Sequence, residues 1–338
     1  MKIEKCKLKT VLVTGGAGYI GSQTVLELKN AGYSPIVYDN LSTGHKEAIL
    51  AGDLVVGDLG DKEKLDKAFK KYKPDVVMHF AASIEVEKSI KNPSKYFQNN
   101  VVNGLNLLEV MRQNSCHKII FSSTAAVYGS PGKVPICEDD LKNPINPYGL
   151  SKLMFEQILE SYAKPYTLNA ISLRYFNAAG ADPSGKIGQD SPKPTHLITR
   201  ALLTALGKYP YLEIFGTDYS TSDGTCIRDY IHVKDLAQAH ILALEKLSSD
   251  KYTTCPSGCY NLGTGKGFSV LEVVDMIKRV TGIDFKVKNK ARREGDPAKL
   301  VASAVLAQKE LGFKPRYSDL KTIIETAWKW HKENPDGY

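Results

Sequence analysis

Tyr148 and Lys152, in YGLSK, lie four residues apart on a predicted helix, so a phenol and an ammonium share one helix face. Tyrosine is a poor base at its reference pKa of about 10. A neighbouring ammonium favours the phenolate and brings proton abstraction within reach at neutral pH. Tyr-x-x-x-Lys also arises by chance on exposed helix faces, so its surroundings decide its meaning. Just upstream, KIIFSST at 118–124 reads as a strand ending in Thr124. That hydroxyl could relay a proton to Tyr148 or hold a substrate oxygen; satisfying a turn backbone is its plainer use.

The other chemically suggestive stretch is TGGAGYIG at 14–21, between the apolar run TVLVT and a helical pattern. Gly15 permits a tight turn, Gly18 lets the backbone approach a pyrophosphate, and Gly21 allows close helix packing. The helix N-terminus adds unpaired N–H groups and positive potential. Dinucleotide binding is the expectation. Asp39 closes the next predicted strand, SPIVYDN at 34–40, where a carboxylate can accept from ribose hydroxyls and would repel a 2′-phosphate. That favours NAD over NADP; a helix-capping or turn Asp is the alternative. Asp58, ending DLVVGDL at 53–59, could similarly meet the adenine amino group.

These residues need a sheet to hold them. Strand patterns at 10–14, 34–40, 53–59, 75–82, 118–124 and 169–176 alternate with helical patterns at 21–31, 61–72, 94–114 and 147–163. In the segment 21–31, Val25, Leu26 and Leu28 mark the buried face. Repeated strand–helix alternation implies right-handed crossovers and a parallel sheet. The fold class expected is α/β, a Rossmann-type doubly wound parallel sheet with a smaller mixed α/β C-terminal substrate lobe. The division predicted is a dinucleotide-binding domain at 1–177, with some later segments returning to it, and a substrate lobe mainly at 178–338. The Gly/Pro-rich stretch 178–194 reads as a loop, followed by short elements near 212–215, 233–247, 269–281, 303–311 and 319–331. A ligand should lie between the lobes, at the carboxyl ends of the strands.

Composition narrows the function. The chain has 338 residues, enough for about two domains. No uninterrupted apolar run exceeds four residues, far short of the ~18 of a membrane-spanning helix, and the charged start MKIEKCKLKT is unlike a signal peptide. Neither membrane insertion nor secretion is expected. The net charge is +8, but the cations are scattered; the densest stretch, KVKNKARR at 286–293, reads as a solvated strand edge leading into a small anion site rather than a nucleic-acid arm. Of six cysteines only Cys255 and Cys259 are close, and a structural zinc needs four ligands, so no metal site is expected. Reduced thiols in a cytoplasmic protein are the default.

The motifs TGGAGYIG, YDNLSTG, HFAA, SSTAAVYG, PYGLSK, LRYFNAAG, FGTDY, RDYIHVKDLA, YNLGTG and RREGDPA together resemble the extended short-chain dehydrogenase/reductase family, over about residues 9–338. Within it they resemble the members that interconvert UDP-glucose and UDP-galactose by transient NAD-dependent oxidation and re-reduction at sugar carbon 4. The resemblance implies that Tyr148 is the catalytic base and acid, Lys152 its electrostatic partner and a ribose ligand, and Thr124 the second hydroxyl. It implies a pyrophosphate site at Gly15, Gly18, Tyr19, Ile20 and Gly21. Asp39, Asn40, Asp58 and Leu59 would meet adenosine, and Phe80, Ala81, Asn99 and Tyr175 the rest of NAD. Asn177, Leu197, Phe215, Arg228, Tyr230, Arg293 and Asp296 would grip a UDP-sugar, the two guanidinium forks meeting the diphosphate.

Three positions depart from the family's pattern: Ile84 stands where several relatives carry Lys, His196 replaces an Asn, and Leu300 occupies the gate of the sugar pocket. Sugar-nucleotide dehydratases and decarboxylases of the family typically carry an acid two residues after the active-site Thr. Ala125 and Ala126 follow Thr124 here, which leaves re-reduction as the exit from a 4-keto sugar. Acting mainly on UDP-N-acetylhexosamines or UDP-pentoses is the alternative, and a non-catalytic NAD-sensing protein of the same fold the more distant one. The family also implies a homodimer, paired through the helices at 94–114 and 147–163.

Overall fold

The computed structural model describes residues 9–191, 194–248, 258–293 and 296–338. Cys6 and Cys255 lie outside the described residues.

The first half alternates strand and helix. β1 (Thr10–Thr14) leads to α1 (Tyr19–Asn30), β2 (Ser34–Asp39), β3 (Asp53–Val56), α2 (Lys62–Tyr72) and β4 (Val76–His79). There follow α3 (Val86–Lys91), α4 (Pro93–Phe97), α5 (Asn103–Gln113), β5 (Lys118–Thr124), α6 (Pro147–Ala163) and β6 (Asn169–Tyr175). All six strands are parallel and lie in the order β3-β2-β1-β4-β5-β6, with the later segment Gly258–Leu262 as a seventh strand beside β6. This is the doubly wound arrangement, its direction reversing between β1 and β4.

Burial on both faces explains why strands such as TVLVT read as continuous apolar runs. Val11 and Val13 point into a core shared with Val25 and Leu28 of α1, while Leu12 points into the opposite core with Leu65, Leu107 and Phe155 from α2, α5 and α6. Leu26, expected on the buried face of α1, is only partly covered.

The run expected as one helix over 94–114 is helical but not uniformly α. Residues Gln98–Val102, between α4 and α5, form a π-helical stretch. Asn100 within it is fastened to a neighbouring loop and to α6: its Oδ1 accepts from Ser83 N at 2.8 Å, and its Nδ2 donates to Ser83 O at 3.0 Å and Ser151 Oγ at 2.9 Å. The strand expected over 75–82 ends at His79, because the amides of Phe80 and Ala81 both turn to the Thr14 carbonyl, at 2.8 and 3.1 Å.

The second half leaves the sheet abruptly. β7 (Asn177–Ala179) begins two residues after β6 ends and runs into the stretch expected as loop. Then come α7 (Leu197–Ala205), β8 (Leu212–Phe215), β9 (Ile227–His232), α8 (Val233–Leu247) and β10 (Gly258–Leu262), the seventh strand above. β11 (Gly267–Ser269), α9 (Val270–Thr281), β12 (Val287–Lys290), β13 (Lys299–Leu300), α10 (Val305–Leu311) and α11 (Leu320–Glu333) complete the chain. β9 is the hub of a small sheet, pairing with β7, β11 and β13, while β12 pairs with β8. α8 lays Leu236, Ala239, Ala243 and Leu244 on the core face that α1 covers, so both α8 and β10 belong to the main sheet's core.

Candidate active site

A parallel sheet gathers the carboxyl ends of its strands along one edge. Along it stand the glycine turn after β1, Asp39 closing β2, Asp58 after β3, Phe80 after β4, Thr124 closing β5 and Tyr175 closing β6. Gly15 needs its glycine twice over: its φ is +72°, and a Cβ would lie 2.5 Å from Ala81 N. At Gly21 a Cβ would lie 2.2 Å from Gly15 O. Gly18 is different, since a Cβ there would meet only Gly15 O, at 3.4 Å. The protein itself does not require that glycine.

Gly18 caps α1 with no side-chain hydrogen bond, and no acid sits in the first turn, so Tyr19, Ile20 and Gly21 present their N–H groups where an anion would be held. The Tyr19 side chain is committed elsewhere, its Oη donating to Gly180 O at 2.6 Å, and Ile20 packs partly on the core. Asp39 is buried; its Oδ2 accepts from Ala17 N at 2.9 Å and its Oδ1 from Leu41 N at 2.8 Å. Each oxygen keeps a lone pair free for a ribose hydroxyl. Asp58 is exposed beside it, linked to Asn40 Nδ2 at 2.6 Å, and Leu59 is buried in the core. These features fit a dinucleotide. Asn99, on the π-helical stretch, donates to Ser83 Oγ at 3.2 Å, while Ile84 is 54% exposed.

Tyr148, Lys152 and Thr124 are brought together. Asn146 caps α6 by accepting from Gly149 N at 2.8 Å, and Pro147 opens the helix. A Cβ at Gly149 would lie 2.5 Å from Ala126 O, so the helix start is pressed on the turn that Thr124 caps. Thr124 Oγ1 accepts from Ala126 N at 3.1 Å and is also hydrogen-bonded to Tyr148. Burial raises the Tyr148 phenol above its usual range, and the Thr124 hydrogen bond opposes that shift. Lys152 is 2% exposed; its Nζ donates to Ser122 O at 2.7 Å. Burial pulls its ammonium down to about 7, against the upward pull of Glu156. Tyr175 is buried alongside, 3.4 Å from His240 Nε2, and the Phe80 ring lies 4.6 Å from that imidazole.

Four of the residues expected to meet a UDP-sugar lie on the small sheet. Asn177 is paired with Tyr230, and Leu300 with Arg228, in strand register. Asn177 Nδ2 donates to Asp229 O at 3.0 Å. Arg228 is ion-paired with Asp296, and the Arg293 guanidinium lies 3.9 Å above the Phe215 ring. Leu197 opens α7 just after His196, whose Nδ1 lies 3.2 Å from Gln189 Nε2. Leu300 packs against a cluster that includes Ala125, the residue after Thr124.

Sequence reasoning passed over two buried groups that frame the site. Asp229 accepts from Thr264 N, Gly265 N and Ala302 N at 2.9, 3.0 and 3.1 Å, tying β9 to the loop after β10 and to the segment after β13. Glu156 pairs with Arg174 at 2.7 Å. Its position four residues beyond Lys152 was the available signal; Arg174 had none nearby.

Residues 11–263 match the NAD dependent epimerase/dehydratase family, and the chain belongs to it: an NAD-dependent enzyme on a doubly wound sheet. Among its relatives, a UDP-glucose 4-epimerase of Halalkalibacterium halodurans is 50% identical over 328 residues, 97% of each chain. The solved UDP-glucose 4-epimerase of Brucella ovis, in complex with NAD, is 50% identical with a TM-score of 0.91, covering 95% of this chain and 97% of that one. That of Bifidobacterium longum, in complex with NAD+ and UDP, is 38% identical with a TM-score of 0.93, covering 98% of this chain and all (100%) of the other.

Proposed function

We propose that this chain interconverts UDP-glucose and UDP-galactose by transient oxidation and re-reduction at sugar carbon 4. The observation that carries the reading is the meeting of Tyr148, Lys152 and Thr124 at the cofactor edge of the sheet. The glycine turn, Asp39, Asn40, Asp58, Leu59, Phe80, Ala81, Asn99 and Tyr175 would hold NAD, which when bound would supply reversible two-electron chemistry at that carbon. The Tyr148 oxygen takes the proton of the 4-hydroxyl, directly or through Thr124, and later returns it. The Lys152 ammonium, one turn along the same helix, stabilises the phenolate. Arg228 and Arg293 meet the diphosphate, with Asn177, Leu197, Phe215, Tyr230 and Asp296 completing the nucleotide grip. An anchor concentrated on UDP leaves the sugar free to present either face. Neither Ala125 nor Ala126 can move a proton from the neighbouring carbon, so re-reduction is the productive exit.

The test is conversion of UDP-galactose by the NAD-loaded protein, with products identified chromatographically beside UDP-N-acetylhexosamines and UDP-pentoses. Turnover of the hexose pair with inversion at carbon 4 is expected. A released 4-keto sugar, or turnover of the N-acetylated pair alone, would overturn the reading.

We further propose a cytoplasmic homodimer. Cys116, Cys137, Cys226 and Cys259 are free thiols, as in a reducing compartment. Val102, beside α5, and Leu150, on α6, are 43% and 40% exposed on the helical runs expected to pair between subunits. Light scattering should give twice the chain mass for the wild type and a monomer for Leu150→Glu.

A further inference from the structure

Beneath the reacting groups lies a charge pair that neither proton transfer nor cofactor binding uses. Glu156 sits one turn beyond Lys152 on α6, and Arg174 directly precedes Tyr175 on β6; their side chains are 6% and 2% exposed. Arg174 Nε donates to Glu156 Oε1 at 2.9 Å and Nη2 to Oε2 at 2.7 Å. Ser123 Oγ, on the residue before Thr124, donates to the same Oε1 at 2.5 Å. Arg174 Nη1 reaches Tyr128 Oη at 2.8 Å and Glu138 O at 3.1 Å. Tyr128 closes the turn that Thr124 caps, and its Oη donates to Asn261 Oδ1 of β10 at 2.8 Å.

Taking two charges out of water costs roughly what their attraction returns, and apolar residues of similar volume commonly serve a core as well or better. Stability alone is therefore a poor account of this pair. Its partners supply a better one, because they belong to the elements carrying Tyr148 and Lys152, Thr124, and Tyr175. We propose that Glu156 and Arg174 are positioning residues that lock α6 onto β5 and β6, setting Tyr148 and Lys152 in register with Thr124 for proton transfer. The proposal rests on the proton-transfer roles given above.

The electrostatics run the same way. Glu156 is the charged group that works against the burial of the Lys152 ammonium. Among the described residues, the other groups facing that ammonium add no anion. His79, from β4, is held near 3 by burial and is neutral at working pH; β5 contributes the Ser122 carbonyl and the Phe121 ring, 4.8 Å away. On β6 the Arg174 charge is met by Glu156 itself.

Two variants of the NAD-loaded enzyme test this, each with melting temperature, kcat and KM for UDP-galactose. Glu156→Leu with Arg174→Met removes both charges and should melt near the wild type, while kcat falls about tenfold or more and KM moves by no more than about twofold. Glu156→Gln keeps the shape and removes the anion; Lys152 then loses its proton sooner, and the alkaline limb of the kcat profile should move down by about one pH unit. A folded double variant with wild-type kcat, or an unmoved alkaline limb in Glu156→Gln, would overturn the proposal. If the double variant does not fold, the pH profile of Glu156→Gln decides alone. Tyr148→Phe in the same assay separates the two levels: wild-type turnover there removes the proton-transfer assignment. An inactive Tyr148→Phe beside wild-type-like Glu156 variants removes only the positioning role.

Discussion

Tyr148 shares a hydrogen bond with Thr124, and burial holds its phenol protonated in the chain by itself. The proton-transfer role proposed for it therefore depends on positive charge nearby. Tyr148→Phe removes only the oxygen, and turnover should fall by about 10²–10⁴-fold with NAD content unchanged. Lys152→Ala removes the stabilising cation, so the acid limb of the activity profile should shift to higher pH as the phenol becomes harder to ionise. Specificity is a second residue-scale question, and the residue proposed to set it is Leu300, which packs on the cluster that includes Ala125 and is paired with Arg228. Leu300→Ser should raise relative activity on UDP-N-acetylglucosamine and Leu300→Tyr should suppress it, since pocket bulk of this order changes discrimination by about 1–3 kcal/mol. The ratio of kcat/KM values for the hexose and N-acetylhexosamine pairs checks this; a constant ratio across the series would remove Leu300 from the gate. At this scale Tyr148 and Lys152 were legible because their spacing is local to one helix. Arg174 was not, because its partners come from α6 and from the turn after β5.

The two glycines of the first helix turn differ in what the fold asks of them. A side chain at Gly21 collides with Gly15, whereas one at Gly18 fits the protein as it stands. Gly21→Ala should accordingly lower the melting temperature of the NAD-free protein. Gly18→Ala should leave that temperature nearly unchanged and still weaken NAD retention, read as cofactor content after purification. Equal damage from both would mean that Gly18 also serves the fold. Helices with local punctuation were legible: α6 has Asn146 and Pro147 at its start, and its bounds agree with the sequence reading. The π-helical turn was not, because QNNVV carries nothing that distinguishes it from an α-helix, and Asn100 is satisfied by residues elsewhere. β9 was missed for a related reason. IRDYIH buries Arg228, Asp229 and His232, charges and polar groups that hydropathy assigns to a surface and only tertiary partners make tolerable.

Across the whole molecule, histidine burial sets a pH limit on stability. His79, His232, His240 and His331 are all nearly inaccessible to water, and burial holds the first near 3 and the others near 4. Unfolded histidines titrate at about 6.5, so the unfolded chain binds more protons below that value. Their contribution is complete above about pH 6.5 and is lost as pH falls toward 4, each histidine adding about 1.4 kcal/mol per pH unit within that window. Melting temperature should be nearly flat above pH 7 and drop steeply below 6; a constant value down to pH 5 would contradict these burials. Strand–helix alternation made the first six strands of the main sheet legible, but its seventh strand was hidden, since GCYNL follows β9 and α8 with no signal of which sheet it joins. That late strand has a consequence for synthesis on the ribosome. β6 emerges long before its neighbour β10 has been translated, and until residue 262 is made one rim of the sheet stays open to other chains. A fragment stopped at Asn177 should therefore precipitate under conditions in which the full chain remains in solution. The nascent protein needs a chaperone, or speed, for as long as that rim is bare.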